Sequence, residues 1–250
     1  TAATNLKDWR PEHSQHRKEL GDSELAMWQS AFEKGKALEE SGDWQGALAE
    51  YERAHGIDSA YAELHFRMGR CCWQSGAYDR ARAYFTQARD RDFFRSRANT
   101  RLNETVREVA QAYADKGATL VDTVEILADA SPHGVPGWEV FWDNAHMTFD
   151  GNYALASALL DAITAQIGTG NARADVLSRG ACAERLALTP PVLEEHIRRV
   201  MSDYATWHRQ PMQHLEAQLE ETSSATDSHA AERLIEGYRR ALSLNDSDFI

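Results

Sequence analysis

The run Gly42-Asp43-Trp44-Gln45-Gly46-Ala47-Leu48-Ala49-Glu50-Tyr51-Glu52-Arg53-Ala54 is answered 34 residues later by Gly76-Ala77-Tyr78-Asp79-Arg80-Ala81-Arg82-Ala83-Tyr84-Phe85-Thr86-Gln87-Ala88. Glycine meets glycine, Trp44 meets Tyr78, Ala47 meets Ala81, Tyr51 meets Phe85 and Ala54 meets Ala88. Upstream, Gly35 meets Gly69 in the same register. The period holds between Ser23 and Asp92 and predicts helices near 23–40, 45–56, 60–75 and 78–91. Glycine and alanine let paired helices approach closely, and the aromatic rings fill the space between one hairpin and the next.

This spacing and residue pattern resembles the tetratricopeptide repeat. Two such repeats do not bury their own faces, so something must cap them. The amphipathic pattern from Arg95 to Lys116, with Leu102, Val106, Val109, Ala110 and Tyr113 on one face, is the expected cap. A further trace, Tyr238-Arg239-Arg240-Ala241-Leu242-Ser243-Leu244-Asn245-Asp246, matches the second-helix half of the motif or is a generic amphipathic helix. The resemblance implies a peptide or protein partner in a concave groove. The groove positions equivalent to the family's carboxylate clamp hold Phe32, Lys36, Phe66 and Arg70, without its asparagines. A spacer packed on another domain is the alternative role.

Bulk composition sets outer bounds. The chain has 250 residues, 42% hydrophobic and 26% charged, as in ordinary globular proteins. A net charge of -12 argues against nucleic-acid binding and against a polybasic membrane patch. No run nears the roughly 18 apolar residues of a membrane span, and no targeting segment is recognisable. Cys71, Cys72 and Cys182 have neither disulfide-framework nor metal-ligand spacing. His13 and His16 lack companion ligands, so a solvated loop is expected there and no metal or cofactor. Arg95, Arg97 and Arg101 read as a salt-bridged surface or an anion contact.

The remaining chemistry lies in Phe141-Trp142-Asp143-Asn144-Ala145-His146. It follows the one convincing strand, Ala118-Thr119-Leu120-Val121-Asp122, and a loop over 131–137, and it precedes a helix expected over Gly151–Ile167. One turn separates Asp143 from His146. That spacing brings a carboxylate to the imidazole Nδ1 and leaves Nε2 to take a nucleophile's proton. A solvent-exposed histidine behind a capping aspartate is the plainer alternative.

With its following glycine and Ala154-Leu155-Ala156, this block resembles the last motif of the SGNH (GDSL-type) esterases. The run Arg89–Ala98, then Asn103 and the strand, resembles a bacterial group in which tetratricopeptide repeats interrupt such a domain, and the opening Asn5-Leu6-Lys7-Asp8-Trp9-Arg10-Pro11 would be its sheet-to-repeat crossover. The resemblance implies a Ser-His-Asp triad in which His146 is general base and Asp143 orients it. It also implies an acyl-ester substrate, for instance a carbohydrate ester. The family's nucleophile and oxyanion blocks are missing. Gly21-Asp22-Ser23 follows a charged segment and opens the first repeat helix, so Asp22 or Ser23 reads as an N-cap; Asn245-Asp246 lacks the family's glycine.

The expected fold is therefore mostly α. Residues 1–21 form a crossover, 22–92 two tetratricopeptide hairpins, and 93–167 the C-terminal part of an α/β SGNH-like domain with about one strand. Residues 168–250 form a linker and helical tail. The chain, which opens on Thr1 without an initiator methionine, is expected to be part of an esterase and inactive alone. A non-enzymatic scaffold is the rival reading.

Overall fold

The computed structural model describes residues 1–168, 177–204, 212–224 and 230–244. It contains two compact units, Thr1–Ala162 and Ile163–Ile250. The linker expected over 168–174 and the end of the tail trace, Asn245-Asp246, lie almost wholly outside the described residues.

In the first unit, helices α1 (Asp22–Glu40) and α2 (Trp44–Ile57) pair, as do α3 (Ala62–Gln74) and α4 (Tyr78–Arg91). The expected helix boundaries differ from these by a residue or two. A Cβ on Gly35 would lie 2.5 Å from the Tyr51 ring, and one on Gly69 would lie 2.7 Å from Phe85. These two positions are where the aromatic of each second helix presses onto the first. Gly42 and Gly76 close the first helix of each hairpin at φ of 82° and 74°, a left-handed turn that side-chain-bearing residues avoid. Trp28, Phe32, Tyr51, Leu64 and Met68 form the core between the hairpins.

Helix α1 starts differently from expectation. Gly21 is the N-cap, its N–H donating to the Glu24 carboxylate, and both Asp22 and Ser23 lie inside the first turn. Acidic side chains there still complement the helix dipole.

The cap on the second hairpin also differs from the expected one. Leu6 and Val135 close the far side of α3 and α4, packed with Phe66, Cys72, Ala81, Phe85 and Ala88. His133 lies flat on Tyr78, with centroids 3.5 Å apart. The helix expected to do this, α5 (Thr100–Ala112), leaves Leu102 and Val109 exposed, as is Tyr113 just after it. Segments distant in sequence cover that apolar face instead, so periodicity in α5 did not identify its packing partner.

The strand expected over Ala118–Asp122 does not form. The only β-type pairing among the described residues is an isolated antiparallel bridge between Phe141 and Met147. A lone apolar run has no ladder without a neighbouring strand. Asp122 instead caps α6 (Thr123–Asp129), accepting from the N–H groups of Val124 and Glu125, and pairs with Arg107 at 2.6 Å. Burial pushes its carboxyl upward, but the Arg107 and Thr1 hydrogen bonds outweigh this and bring it down to about 2. Helix α7 (Phe149–Ile167) begins two residues before its expected start.

In the second unit, α9 (Pro190–Tyr204) packs with α10 (Met212–Ser224), and α8 (Arg179–Arg185) with α11 (Ala230–Leu244). Ile197 and Leu215 are fully buried. The tail trace Tyr238–Leu244 falls in α11, where Ala241 is buried while Tyr238 and Leu242 are exposed.

Candidate functional site

Local backbone geometry brings Asp143 to His146. The chain folds back on itself after Phe141: the Trp142 N–H donates to the His146 carbonyl at 2.7 Å, and the Thr148 N–H to the Val140 carbonyl at 3.0 Å. Val140 and Phe141 anchor this turn in a small core with Leu127. The Asn5 N–H donates to the Asn144 carbonyl at 3.0 Å, tying the turn to the N-terminal segment. A Cβ on Gly151 would collide with the Val140 carbonyl oxygen, so glycine is what lets α7 start this close.

Asp143 is fully buried. Its Oδ1 accepts the N–H groups of Ala145 and His146, both at 2.7 Å, and its Oδ2 lies 2.6 Å from His146 Nδ1. The His146 side chain is 76% exposed. With Nδ1–H directed at the carboxylate, Nε2 becomes the basic nitrogen of the ring. An acid that holds the tautomer beneath an accessible imidazole is suited to general-base work.

The other sequence candidates fall elsewhere. Ser23 is exposed within α1. Burial pushes the thiol of Cys71 up to about 12 and also raises that of Cys72, which makes both poor nucleophiles. The solvated loop expected around His13 and His16 fails at His16. That ring is half-buried, with Nδ1 2.7 Å from a buried Asp58 carboxylate. His13 lies against Phe93. Arg97, expected at the surface, is buried instead and donates to the carbonyls of Asn5 and Trp9. Burial lowers its guanidinium to about 10. Arg95 and Arg101 are exposed.

Of the groove positions, Phe32 is buried against Trp28, and Phe66 is buried in the core that Leu6 joins. Lys36 pairs with Glu33, and Arg70 with Glu39. Glu39, buried, also accepts from the Tyr51 hydroxyl at 2.6 Å and from Arg67 at 2.9 Å. Burial, followed by this hydrogen bond, raises the Tyr51 phenol well above its usual range.

Residues 38–100 match the tetratricopeptide repeat family. The matched stretch runs from late α1 to the start of α5 and contains the second helix of the first hairpin and the whole second hairpin. It stops before Asp143 and His146. Comparison with curated proteins and with solved structures returned no match.

Proposed function

We propose that this chain is a protein-interaction module whose tetratricopeptide hairpins recruit a partner protein. The observation that carries the reading is the 34-residue repeat folded as two glycine-hinged hairpins in the region of the family match. Such hairpins serve chiefly as binding surfaces. The test is affinity capture with the full chain, followed by direct titration of each purified candidate. Lys36→Glu combined with Arg70→Gln is expected to weaken true partners at least about tenfold, a loss near 1.4 kcal/mol. Unchanged titrations across all candidates sink the reading.

The Asp143–His146 geometry favours a second reading beside the first. In it, His146 Nε2 takes the proton of a serine hydroxyl attacking an acyl ester, and Asp143 steadies the imidazolium that forms. The resemblance to SGNH-type esterases supports these roles, and a carbohydrate ester is the substrate class it favours. The reading requires a serine and oxyanion donors from outside these 250 residues, so the chain alone is expected not to turn over an activated acetate ester. Turnover by a full-length gene product, abolished by His146→Ala, supports the reading. Turnover indifferent to His146 removes it.

A further inference from the structure

The segment leading into the repeats changes character at Pro11. Up to that residue it is core: Leu6 packs on Phe66 and Phe85, Trp9 is fully buried, and Arg97 holds two of its carbonyls. Beyond it, Gln15, Arg17, Lys18 and Glu19 are exposed, and none of residues 12–20 joins a hydrophobic core. Asp92, at the end of α4, accepts the N–H groups of Glu12 and His13, and Arg17 pairs with Glu24 at the surface. Two further side chains seat the stretch on the repeats.

The first is Ser14. Helix α3 has Tyr61 at its N-cap position without a side-chain cap of its own, and the Ser14 hydroxyl supplies one by accepting the Glu63 N–H at 2.9 Å. The second is His16. Its ring stacks on Tyr61 with centroids 4.6 Å apart and meets the Trp28 ring edge-on at 4.5 Å. Behind these rings lies the buried Asp58 carboxylate, which also accepts the N–H groups of Ala60 and Arg17. The Trp28 indole is fixed by donating to the Asp58 carbonyl. Two aromatic walls and a buried acid form a slot suited to an imidazole or a guanidinium.

We propose that this slot, with the α3 N-terminus, is a peptide-recognition site, and that residues 12–20 are its resident ligand within the same chain. The partner that fits is an extended segment offering a hydroxyl and, two residues on, an imidazole or guanidinium. Such a partner competes with Ser14 and His16, so the strap sets a threshold for binding. This inference rests on the interaction reading and names the chemistry of its partner.

The test uses the full chain carrying S14A and H16A and a labelled peptide of residues 12–20, followed by fluorescence anisotropy. Releasing the resident strap is expected to raise the apparent peptide affinity at least about tenfold over the unaltered chain. Adding Asp58→Asn should then abolish binding. Equal affinity, or no binding to a variant whose helical circular dichroism is intact, overturns the proposal.

Hydrogen exchange on the unaltered chain provides a test that does not depend on the variant folding. Amides of residues 14–20 should open at least about tenfold more often than those of α3. Identical protection overturns the proposal. If the peptide fails while a Lys36-sensitive partner is still captured, this site falls and the interaction reading stands.

Discussion

Two aspartate–histidine pairs in the first unit share a design and differ in what surrounds the ring. Asp58 and Asp143 are both buried, each accepts backbone N–H groups, and each meets a histidine Nδ1, at 2.7 and 2.6 Å. Sequence separation differs widely. His146 lies one turn from its aspartate, whereas His16 reaches Asp58 across 42 residues. The His16 side chain is 26% exposed between Trp28 and Tyr61, while the His146 side chain is 76% exposed. A walled ring fastens one segment onto another. An open ring above the same kind of acid is the arrangement on which the proposed general-base role rests.

The largest expected effect comes from removing either acid. Asp143→Ala leaves the N–H groups of Ala145 and His146 and the ring Nδ1 without their acceptor inside a tight turn. Asp58→Ala does the same to Ala60, Arg17 and His16. Each substitution is expected to cost about 3 kcal/mol in urea unfolding, because three hydrogen bonds to one charged group are lost together. If either costs under about 1 kcal/mol, that aspartate is not the keystone of its turn and the parallel between the pairs breaks.

These two pairs also show why one was legible in the sequence and the other was not. Asp143 and His146 are neighbours on one turn, so spacing alone placed them together. His16 and Asp58 meet through tertiary packing, and nothing in His13-Ser14-Gln15-His16 marks the contact. The same distinction runs through the fold. The repeat helices were readable because their small and aromatic positions recur with a fixed period. The cap was misplaced because Leu6 and Val135 have no periodicity, whereas α5 has a strong one and stays exposed. The run Ala118–Asp122 has strand composition, yet a strand exists only as part of a ladder, and a single segment cannot specify its neighbour.

A third histidine gives a reference for rings without an acid. His65 is fully buried in α3, with Nε2 2.7 Å from the Ser59 carbonyl and Nδ1 without a hydrogen-bond partner. Burial, against the raising effect of that hydrogen bond, lowers its pKa to about 4. A folded value below the ordinary 6.5 means the unfolded chain binds the proton first, so stability falls as pH drops through 6.5 toward 4. The loss approaches about 3 kcal/mol. His65→Gln should flatten this part of the stability profile, while His146→Gln should leave it in place. A profile unchanged by His65→Gln would mean that the acid sensitivity arises elsewhere.

The smallest expected effect discriminates best between the two pairs. His16→Ala removes a ring stacked on Tyr61 and edge-on to Trp28 and leaves a buried acid with one fewer donor. It should cost about 1–2 kcal/mol. His146→Ala likewise leaves a buried acid with one fewer donor and two backbone N–H groups, but the ring it removes is mostly exposed and water can reach the vacated position. Its cost should be smaller than that of His16→Ala, about 0.5–1 kcal/mol. A residue whose removal costs the fold little, although a fully buried acid hydrogen-bonds its ring, would fit the chemical reading. Equal costs for the two alanine variants would make His146 a fastener like His16, and the chemical reading of Asp143–His146 would lose its physical basis.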